Sequence, residues 1–432
     1  METSMLTAPS LRRVAIIGGT RIPFARANTA YAEASNQDML TAALQGLVDR
    51  YRLGGERLGE VVAGAVLKHS RDFNLTREAV LSTTLGHDTP AYDIQQACGT
   101  GLEAALLVAS KIALGQIDAG IAGGVDTTSD APIALNEKLR KLLLKANRGR
   151  TTAEKVKTLA GIRPSMLLRP ALPRNAEPRT GLSMGEHCEQ MAKRWRIPRS
   201  AQDELTVASH RNLAAAYGRG FFNDLIVPFR GLTKDGNLRP DIDPAKLAAM
   251  PPVFDRKGGT MTAANSTPLT DGAAVVLLAS EEWARARNLP ILAYLRAGEA
   301  AAVDFVDGEE GLLMAPAYAV PRMLGKLGIT LQDFDFYEIH EAFAAQVLST
   351  LAAWESPDYA RDRLGLDAPP GAIDRARLNV NGSSLATGHP FAATGGRILA
   401  TLAKMLAEKG AGRGLISICA AGGQGVVAVV ER

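Results

Sequence analysis

The chain has 432 residues, of which 46% are hydrophobic and 22% charged, the balance of a globular protein with a large buried core. Its 49 basic and 45 acidic residues leave a net charge of +4, which is too even for a general nucleic-acid binder. Three cysteines cannot form a disulfide framework and favour a reducing compartment, so we expect a cytoplasmic protein. No apolar run reaches the roughly 18–20 residues that span a bilayer. Residues 1–13 lack the apolar core of a secretory signal.

Short apolar runs and helical periodicity alternate along the first part of the chain. Residues 14–17 predict a buried strand that stops at Gly18 and Gly19, and residues 61–67 predict a second strand. Between them, apolar residues at i, i+3 and i+4 spacing predict a helix over residues 37–51. This alternation favours βαβ units and a largely parallel sheet.

The same order of elements recurs at both ends of the chain. Cys98 precedes an Ala/Leu-rich helix, a strand at residues 119–121 and a Gly-Gly pair. His389 precedes a helix at residues 397–408, a strand at residues 414–418 and another Gly-Gly pair. A duplicated α/β half explains this order. It would place Cys98 and His389 at the N-termini of two equivalent helices.

Most of the positive charge lies in one segment between the two halves. Residues 136–182 carry five Lys and seven Arg against three Glu, a net +9 that leaves −5 for the rest of the chain. The prolines of this region indicate an irregular insertion. Three interpretations remain open: a solvated helix face, a site for a polyanionic ligand, and an amphipathic docking face at residues 138–157.

Four positions carry candidate chemistry. Cys98 precedes a glycine-flanked helix start, where backbone N–H groups and the helix dipole favour a thiolate. Cys419 ends a predicted strand before a Gly-rich turn, whose backbone donors could hold an oxyanion. His340 ends the strand predicted at residues 336–339, and open α/β sheets bind ligands at such ends. His389 lies between Gly and Pro. Taken singly, each could equally be a packed structural residue.

Together these segments resemble the thiolase superfamily over essentially the whole chain. The matching motifs are residues 95–101 around Cys98, residues 262–273, His340-Glu341-Ala342-Phe343, Gly388-His389-Pro390 and the segment around Cys419. The His-Glu-Ala-Phe form looks like the thiolase subunits of fatty-acid β-oxidation complexes. The resemblance implies a five-layered αβαβα fold built from two similar halves with an inserted loop domain.

This resemblance also implies a division of the chain into domains. We expect the N-terminal thiolase half at residues 1–135 and 251–288. The inserted loop domain would occupy residues 136–250, and the C-terminal half residues 289–432.

The implied activity is that of an acetyl-CoA C-acyltransferase, which cleaves 3-ketoacyl-CoA with CoA or runs the reverse Claisen condensation of acetyl-CoA. Cys98 would carry the acyl group as a thioester, His389 would activate it and Cys419 would be the acid/base. The backbone N–H groups of Cys98 and Ala421 would form an oxyanion hole, although the family more commonly has Gly at the position of Ala421. His340 stands where Asn is more common and would donate to the thioester oxygen directly or hold a water.

Ligands and partners follow from the same resemblance. The positions expected to contact CoA are Ser183, Met184, Ser266 and Thr267, with the basic insertion near the CoA phosphates. CoA is expected as a substrate, with no permanently bound cofactor and no metal, since no close His/Cys/Asp cluster has zinc-type spacing. We expect a homodimer or homotetramer and no nucleic-acid partner. The basic insertion could dock on a β-oxidation complex partner or on a membrane surface. Cys188 is expected to be structural.

Two alternatives belong to other classes. A decarboxylating ketoacyl synthase-type enzyme shares the fold but needs no second catalytic cysteine, so Cys419 separates the two. A non-catalytic acyl-CoA-binding subunit of a complex is the other alternative. The presence of Cys98, His340, His389 and Cys419 together argues against it.

Overall fold

A computed structural model describes residues 11–432. Residues 1–10 lie outside the described residues. They include most of the segment considered above as a secretory signal and the start of the expected N-terminal half. The strands are β1 (Val14–Arg21), β2 (Ala25–Arg26), β3 (Glu60–Ala63), β4 (Ala91–Asp93), β5 (Ala119–Asp126), β6 (Thr270–Ser280), β7 (Ala293–Ala302), β8 (Phe336–Ile339), β9 (Arg413–Ala420) and β10 (Gln424–Glu431).

Within the described residues the α-helices are α1 (Asn36–Tyr51), α2 (Leu75–Leu81), α3 (Thr100–Ala113), α4 (Glu137–Arg148), α5 (Thr152–Leu159), α6 (Pro164–Leu167), α7 (Met184–Arg194), α8 (Arg199–Gly218), α9 (Pro244–Ala248), α10 (Glu281–Ala286), α11 (Ala315–Leu327), α12 (Ala344–Glu355), α13 (Pro357–Tyr359), α14 (Ser384–Thr387) and α15 (Ala393–Lys409). Short 3₁₀ turns occur at Ser70–Asp72 and Arg375–Arg377, and a π turn at Ala360–Leu364. No helix in this range is both long and apolar enough to cross a bilayer.

The strands form one mixed sheet in the order β4-β3-β5-β6-β1-β7-β10-β9-β8, with β2 paired to β6. Only β3–β4, β3–β5 and β8–β9 are parallel pairs among the described strands. The prediction of a largely parallel sheet is therefore wrong. The three-residue turn at residues 421–423 joins β9 to β10, and a connection this short permits only an antiparallel pair. Apolar runs alone do not encode strand direction.

The strand order repeats on either side of the centre. Read outwards, β1-β6-β5-β3 in the first half corresponds to β7-β10-β9-β8 in the second, and β1 meets β7 at Ile16 and Ala293. Helix α3 leads into β5 as α15 leads into β9. This repeat agrees with a duplicated α/β half. The halves differ mainly where β5 continues to β6, because residues 127–269 replace the tight turn between β9 and β10.

Alternate strand residues face different cores, which gives five layers. Ile16 and Val426 pack in the central core, with α3, α15 and strands from both halves. Ile17 faces the opposite way, against α1 and α2. Val427 likewise packs against α11 and α12 on the far side of the molecule. The two halves of the sheet, joined at the β1–β7 pair, lie on either side of α3 and α15, so the layers are helices, half-sheet, helices, half-sheet and helices.

Most predicted elements are present, but their ends differ. The strand predicted to stop at Gly18 continues to Arg21, with a register shift that accommodates the glycine. The strand predicted to reach residue 67 ends at Ala63. Gly124 lies inside β5 rather than in a turn. The position requires glycine because a Cβ there would overlap the carbonyl oxygen of Ala392 at the start of α15. Here glycine permits close packing of a strand against a helix.

Helices α3 and α15 cross at glycines in the central layer. A Cβ on Gly101 would lie 2.6 Å from the carbonyl oxygen of Ala392, and a Cβ on Gly395 would overlap the backbone nitrogen of Leu102. Neither obstacle is a flexible side chain, so the backbones must separate to admit a larger residue. The two helices therefore approach at a distance that only glycine allows.

We predict that Gly395→Ala lowers the free energy of unfolding by about 1–3 kcal/mol, since added atoms in a packed core force the backbone to shift. Chemical denaturation measures the change. Gly325→Ala in α11 is the control, because its Cβ would meet nothing within 4 Å and Ala favours a helix interior. Equal stability of the two variants would contradict close α3–α15 packing.

Candidate active site

Cys98 lies at a sharp turn between β4 and α3. Ala97 before it has a φ of +46°, a left-handed conformation that is uncommon for a residue with a side chain. Thr100 holds the turn, since its hydroxyl donates to the Ala97 carbonyl at 2.7 Å and accepts from the Gln96 N–H at 2.9 Å. Cys98 stands immediately before Gly99, the residue that caps α3. The prediction that this residue sits at the start of a helix is confirmed.

His389 comes from the other half of the molecule and contacts Cys98. Its Nε2 lies 3.1 Å from the Cys98 Sγ, and its Nδ1 lies 2.6 Å from the Thr394 hydroxyl. The backbone N–H of His389 donates to Thr270 Oγ1 at 2.8 Å. His389 stands four residues before the first residue of α15, rather than at its N-terminus as predicted. The turn at Gly388 and the short segment after it direct the imidazole at the thiol.

Burial keeps both members of this pair neutral. Desolvation raises the pKa of Cys98 to about 12, although backbone N–H groups of Ala421 and Cys98 lower it in part. Desolvation lowers the pKa of His389 to about 3, with a further contribution from the charge of Arg397. Desolvation thus opposes the thiolate that the backbone donors favour. Both pKa shifts favour the neutral forms, a thiol beside a neutral imidazole.

His340 stacks beside His389, with ring centroids 4.1 Å apart. Its Nδ1 lies 2.8 Å from Ser384 Oγ, whereas its Nε2 is buried and has no hydrogen-bond partner among residues 11–432. Burial lowers the pKa of His340 well below its usual range, so the ring is neutral. One ring nitrogen of His340 lies within 4.8 Å of both the Cys98 Sγ and a nitrogen of His389.

The turn after β9 supplies the remaining candidate groups. Cys419 is buried near the end of β9, in an apolar cluster with Phe343 and Cys188. Burial raises the pKa of Cys419 well above its usual range, and the proximity of Cys98 raises it further. The thiol is therefore protonated and available as a proton donor. Next to it, the Ala421 N–H is directed at the Cys98 thiol.

Cys98, His340 and His389 are a group that could bind a metal, since their ligand atoms lie within 4.8 Å of one another. Spacing along the sequence could not show this group, because its members come from three distant segments. Thiolate and imidazole ligands suit zinc. However, the 3.1 Å contact between Cys98 and His389 is a hydrogen bond that occupies both atoms.

Several buried groups that the sequence analysis did not single out hold the site together. Asp126 accepts from the N–H groups of Val66, Leu67 and Ala392, and so joins the end of β5 to the segment before α15. Glu177 in the insertion accepts from the Gly422 N–H at 2.7 Å, beside the Ala421 donor. Glu177 lies in an irregular, proline-containing stretch, where no sequence signal marks it.

Glu341 connects three more segments. Its carboxylate accepts from the Ser209 hydroxyl at 2.7 Å, from the Asn379 side chain at 2.7 Å and from the Leu385 N–H at 3.1 Å. It follows His340 directly in the sequence, and this network fixes the backbone that carries the imidazole. Glu341 belongs to the His-Glu-Ala-Phe motif, but the sequence analysis predicted no role for it.

The three expected CoA-binding residues that carry hydroxyls use them in hydrogen bonds within the protein. Ser183 caps α7 and donates to Glu186 at 2.7 Å. Met184 packs against the apolar cluster that contains Cys419. Ser266 donates to the Thr262 carbonyl at 2.7 Å. Thr267 donates to the Ala342 carbonyl, two residues after His340, through both its N–H and its hydroxyl.

The basic insertion contains a helical hairpin of α4 and α5, called the α4–α5 hairpin below. Leu139 and Ala146 face inwards, whereas a set of apolar residues is exposed beside the basic ones: Leu143, Leu144, Val156 and Leu159. Lys145 and Arg148 are exposed in the last turn of α4. The combination of exposed leucines and positive charge fits the predicted amphipathic face better than a purely solvated one.

Comparison with known proteins agrees with this geometry. Residues 14–282 match the family model described as Thiolase, N-terminal domain, and residues 289–432 match Thiolase, C-terminal domain. A 3-ketoacyl-CoA thiolase of Yersinia pestis (strain Pestoides F) is 40% identical over 425 residues, 97% of each chain. An acetyl-CoA acetyltransferase of Bacillus anthracis superposes with a TM-score of 0.81 at 29% identity, covering 98% of this chain and 99% of the other. The human mitochondrial 3-ketoacyl-CoA thiolase superposes with a TM-score of 0.80 at 26% identity over 98% and 99%, and it has also been solved with CoA.

We predict that iodoacetamide alkylates Cys98 of the free protein faster as the pH rises from about 6 to about 10, without a plateau. The physical reason is the raised pKa, because the thiolate fraction then grows tenfold per pH unit throughout this range. Peptide mass spectrometry measures the rate at Cys98, and Cys98→Ser identifies the modified site. A rate that is already constant in mildly acidic solution would contradict the neutral pair, because a thiolate–imidazolium pair behaves in that way.

Proposed function

The chain belongs to the thiolase family, and from that premise we propose how its own residues carry out the reaction. The protein is an acyltransferase: it cleaves 3-ketoacyl-CoA with CoA to acetyl-CoA and a shortened acyl-CoA, or condenses acetyl-CoA in the reverse direction. The observation that carries the assignment of residues is the 3.1 Å contact between Cys98 Sγ and His389 Nε2.

In the first half-reaction His389 acts as the base. Its Nε2 takes the thiol proton as the Cys98 sulfur attacks the ketone carbon, which becomes tetrahedral. The backbone N–H groups of Cys98 and Ala421 hold the resulting oxyanion, an assignment supported by their direction toward the thiol. His340 supports the thioester oxygen of the leaving group. Because the resting pair is neutral, positive charge appears on His389 only as the Cys98 sulfur attacks, and the oxyanion-hole donors offset the negative charge that forms with it.

Cys419 completes the cleavage as the acid. The bond between the α-carbon and the ketone carbon breaks, and the acetyl-CoA enolate takes the Cys419 proton to give acetyl-CoA. The raised pKa of Cys419 supports this role, since it keeps the proton on sulfur until a strong base forms. In the second half-reaction the Cys419 thiolate takes the proton of an incoming CoA thiol. That sulfur attacks the acyl thioester, the bond between the acyl carbon and Cys98 breaks, and the Cys98 sulfur takes its proton back from His389.

CoA is a substrate of this reaction, and we propose that no cofactor is permanently bound and that no metal takes part. Ser183, Met184, Ser266 and Thr267 are the proposed CoA contacts; in support, Thr267 donates to Ala342, two residues after His340, and Met184 packs against the cluster that contains Cys419. The net +9 of residues 136–182 places positive charge in the insertion beside them. This charge complements the phosphates of CoA.

We further propose the division into an N-terminal half at residues 1–135 and 251–288, a loop domain at residues 136–250 and a C-terminal half at residues 289–432. In support, the chain leaves the sheet after Asp126 and returns to it at Thr270. A homodimer or homotetramer is proposed because β4 is an edge strand in the sheet of the described residues. The exposed Phe73, 18 residues before β4, is a second support. A cytoplasmic location is proposed from the three free cysteines.

For the α4–α5 hairpin we propose docking on an anionic membrane surface, with a protein partner of a β-oxidation complex as the alternative. Exposed leucines beside lysines and arginines are the pattern of helices that lie on lipid headgroups. A purely electrostatic protein contact would not need the exposed leucines. The hairpin projects from the insertion, and its exposed residues are separate from the catalytic groups.

Acyl transfer to Cys98 is testable by intact-mass spectrometry after incubation with acetoacetyl-CoA. We expect an acetyl adduct that disappears in Cys98→Ala, because that variant lacks the nucleophile. Absence of an adduct on the unmodified protein would instead favour a non-catalytic acyl-CoA-binding subunit.

The role of Cys419 has a separate test. We expect Cys419→Ala to abolish deuterium exchange at the α-carbon of acetyl-CoA, followed by NMR, while the Cys98 adduct still forms. Cys188→Ala is the matched control, since Cys188 is a buried cysteine of the same apolar cluster and should retain exchange. Unimpaired condensation in Cys419→Ala would point to a decarboxylating ketoacyl synthase mechanism.

Membrane docking predicts that the protein co-sediments with vesicles of anionic phospholipid and not with zwitterionic ones. Lys145→Glu with Arg148→Glu should reduce binding by about thirtyfold or more, since each juxtamembrane cation contributes roughly 1 kcal/mol and about 1.4 kcal/mol is a tenfold change. The control carries Lys246→Glu and Arg211→Glu, two exposed basic residues outside the hairpin. Equal binding to both vesicle types, or no binding, would leave a protein partner as the occupant.

A further inference from the structure

The Nε2 atom of His340 is a buried polar atom without a partner, on a ring that has one nitrogen within 4.8 Å of the Cys98 Sγ and of a His389 nitrogen. The residue is fully buried, and within residues 11–432 its Nε2 makes no hydrogen bond. Its other nitrogen, Nδ1, lies 2.8 Å from Ser384 Oγ. A neutral imidazole carries its proton on only one nitrogen, and that choice decides whether Nε2 donates or accepts. An acceptor at this position would repel a developing oxyanion.

Arg397 determines the direction of the hydrogen bond at Ser384. Its Nη2 lies 3.0 Å from Ser384 Oγ, and a guanidinium can only donate, so the serine oxygen accepts there. Among the described residues, the only acceptor within reach of the serine hydroxyl hydrogen is His340 Nδ1. The hydroxyl therefore donates to Nδ1, and the proton of His340 resides on Nε2. The opposite tautomer would leave the hydroxyl hydrogen buried without an acceptor.

We propose that Arg397 and Ser384 are positioning residues that hold His340 as the Nε2–H tautomer, so that Nε2 donates a hydrogen bond to the thioester oxygen of the substrate. The substrate named in this inference rests on the proposed function, whereas the tautomer of His340 does not depend on it. It also gives a reason why histidine can stand where the family more commonly has asparagine. An asparagine amide always offers an N–H, whereas a histidine offers one at this position only if its tautomer is fixed.

The surroundings of Arg397 keep it able to donate. It is buried in α15, and desolvation lowers its pKa to about 10, so it remains protonated at neutral pH. The nearby carboxyl groups of Glu338 and Glu341 raise the pKa of Arg397 and so oppose the effect of desolvation. A second contact from Nη2 to Ser383 Oγ at 3.2 Å holds the guanidinium in place.

One face of α15 orients both imidazoles of the site. Thr394 contacts His389 Nδ1 directly, and Arg397, three residues later, acts on His340 through Ser384. Residues at i and i+3 lie on the same side of a helix. The first turn of α15 therefore contacts His389 directly and His340 through Ser384.

The tautomer can be observed directly by two-bond ¹H–¹⁵N correlation NMR on protein labelled with ¹⁵N-histidine. The chain has six histidines, and loss of one signal set in His340→Asn assigns the residue. We expect a protonated Nε2 and an unprotonated Nδ1 in the unmodified protein. In Ser384→Ala we expect a shift toward the Nδ1–H form. A protonated Nδ1 in the unmodified protein would overturn the proposal whatever the activity.

Kinetics test whether the tautomer matters for the reaction. We expect Ser384→Ala to lower kcat by about tenfold or more with little change in KM, because an oxyanion donor acts mainly in the transition state. Ser384→Thr restores the hydroxyl and should recover most of the rate. Ser349→Ala is the control, since Ser349 is also a buried serine but its hydroxyl has no hydrogen-bond partner among the described residues.

A double-mutant cycle separates positioning from a structural role. In a His340→Asn background, Ser384→Ala should have almost no further effect on kcat, because an amide has no tautomer to fix. An equal loss in both backgrounds would show that Ser384 acts on folding or packing and would overturn the proposal. The Cys98 adduct is measured on each variant, so a failure of the proposed acyl transfer is distinguishable from a failure of this inference.

Discussion

The close approach of α3 and α15 in the central layer is the constraint on which the rest of the site depends. Gly101 and Gly395 let the two backbones meet, and no side chain separates them. Each helix is preceded by one reactive residue, so the contact between the helices brings Cys98 and His389 to 3.1 Å. The proposed nucleophile and its proposed base come from different halves, and neither half contains the pair by itself. The duplication is therefore functional as well as architectural.

Burial then determines the charge state of the site. The same packing that aligns the helices removes water from the thiol and from both imidazoles, and so the neutral forms are favoured. In a neutral site, hydrogen-bond direction matters more than net charge. Thr394 and Ser384 contact the two rings, and Arg397 gives the second of these contacts its direction. In the proposed mechanism, catalysis depends on oriented donors that need no reorganisation when charge develops.

The insertion shows how one connection can be elaborated while the scaffold is kept. In the second half, a three-residue turn joins β9 to β10 and carries the Ala421 donor. In the first half, the corresponding connection grows to residues 127–269 and returns to the site through Glu177, which accepts from Gly422. The insertion of the first half therefore contacts the turn that occupies the corresponding position in the second half. Its outer hairpin carries a different pattern, with apolar and basic residues exposed together.

By itself, the sequence determined the repeat of elements, the insertion and the reactive residues, because helical periodicity, turn glycines and charge are local properties. The helix predicted at residues 37–51 and the strand at residues 336–339 are present within one residue of their expected bounds. Strand direction, the central glycine contact and the protonation of Cys98 were decided only by the tertiary structure. The proposed roles of Ser384 and Arg397 were likewise decided by the tertiary structure, because the tautomer of His340 depends on which donors distant segments bring together. Desolvation and hydrogen-bond direction are properties of neighbours in space, and no residue pattern along the chain encodes them.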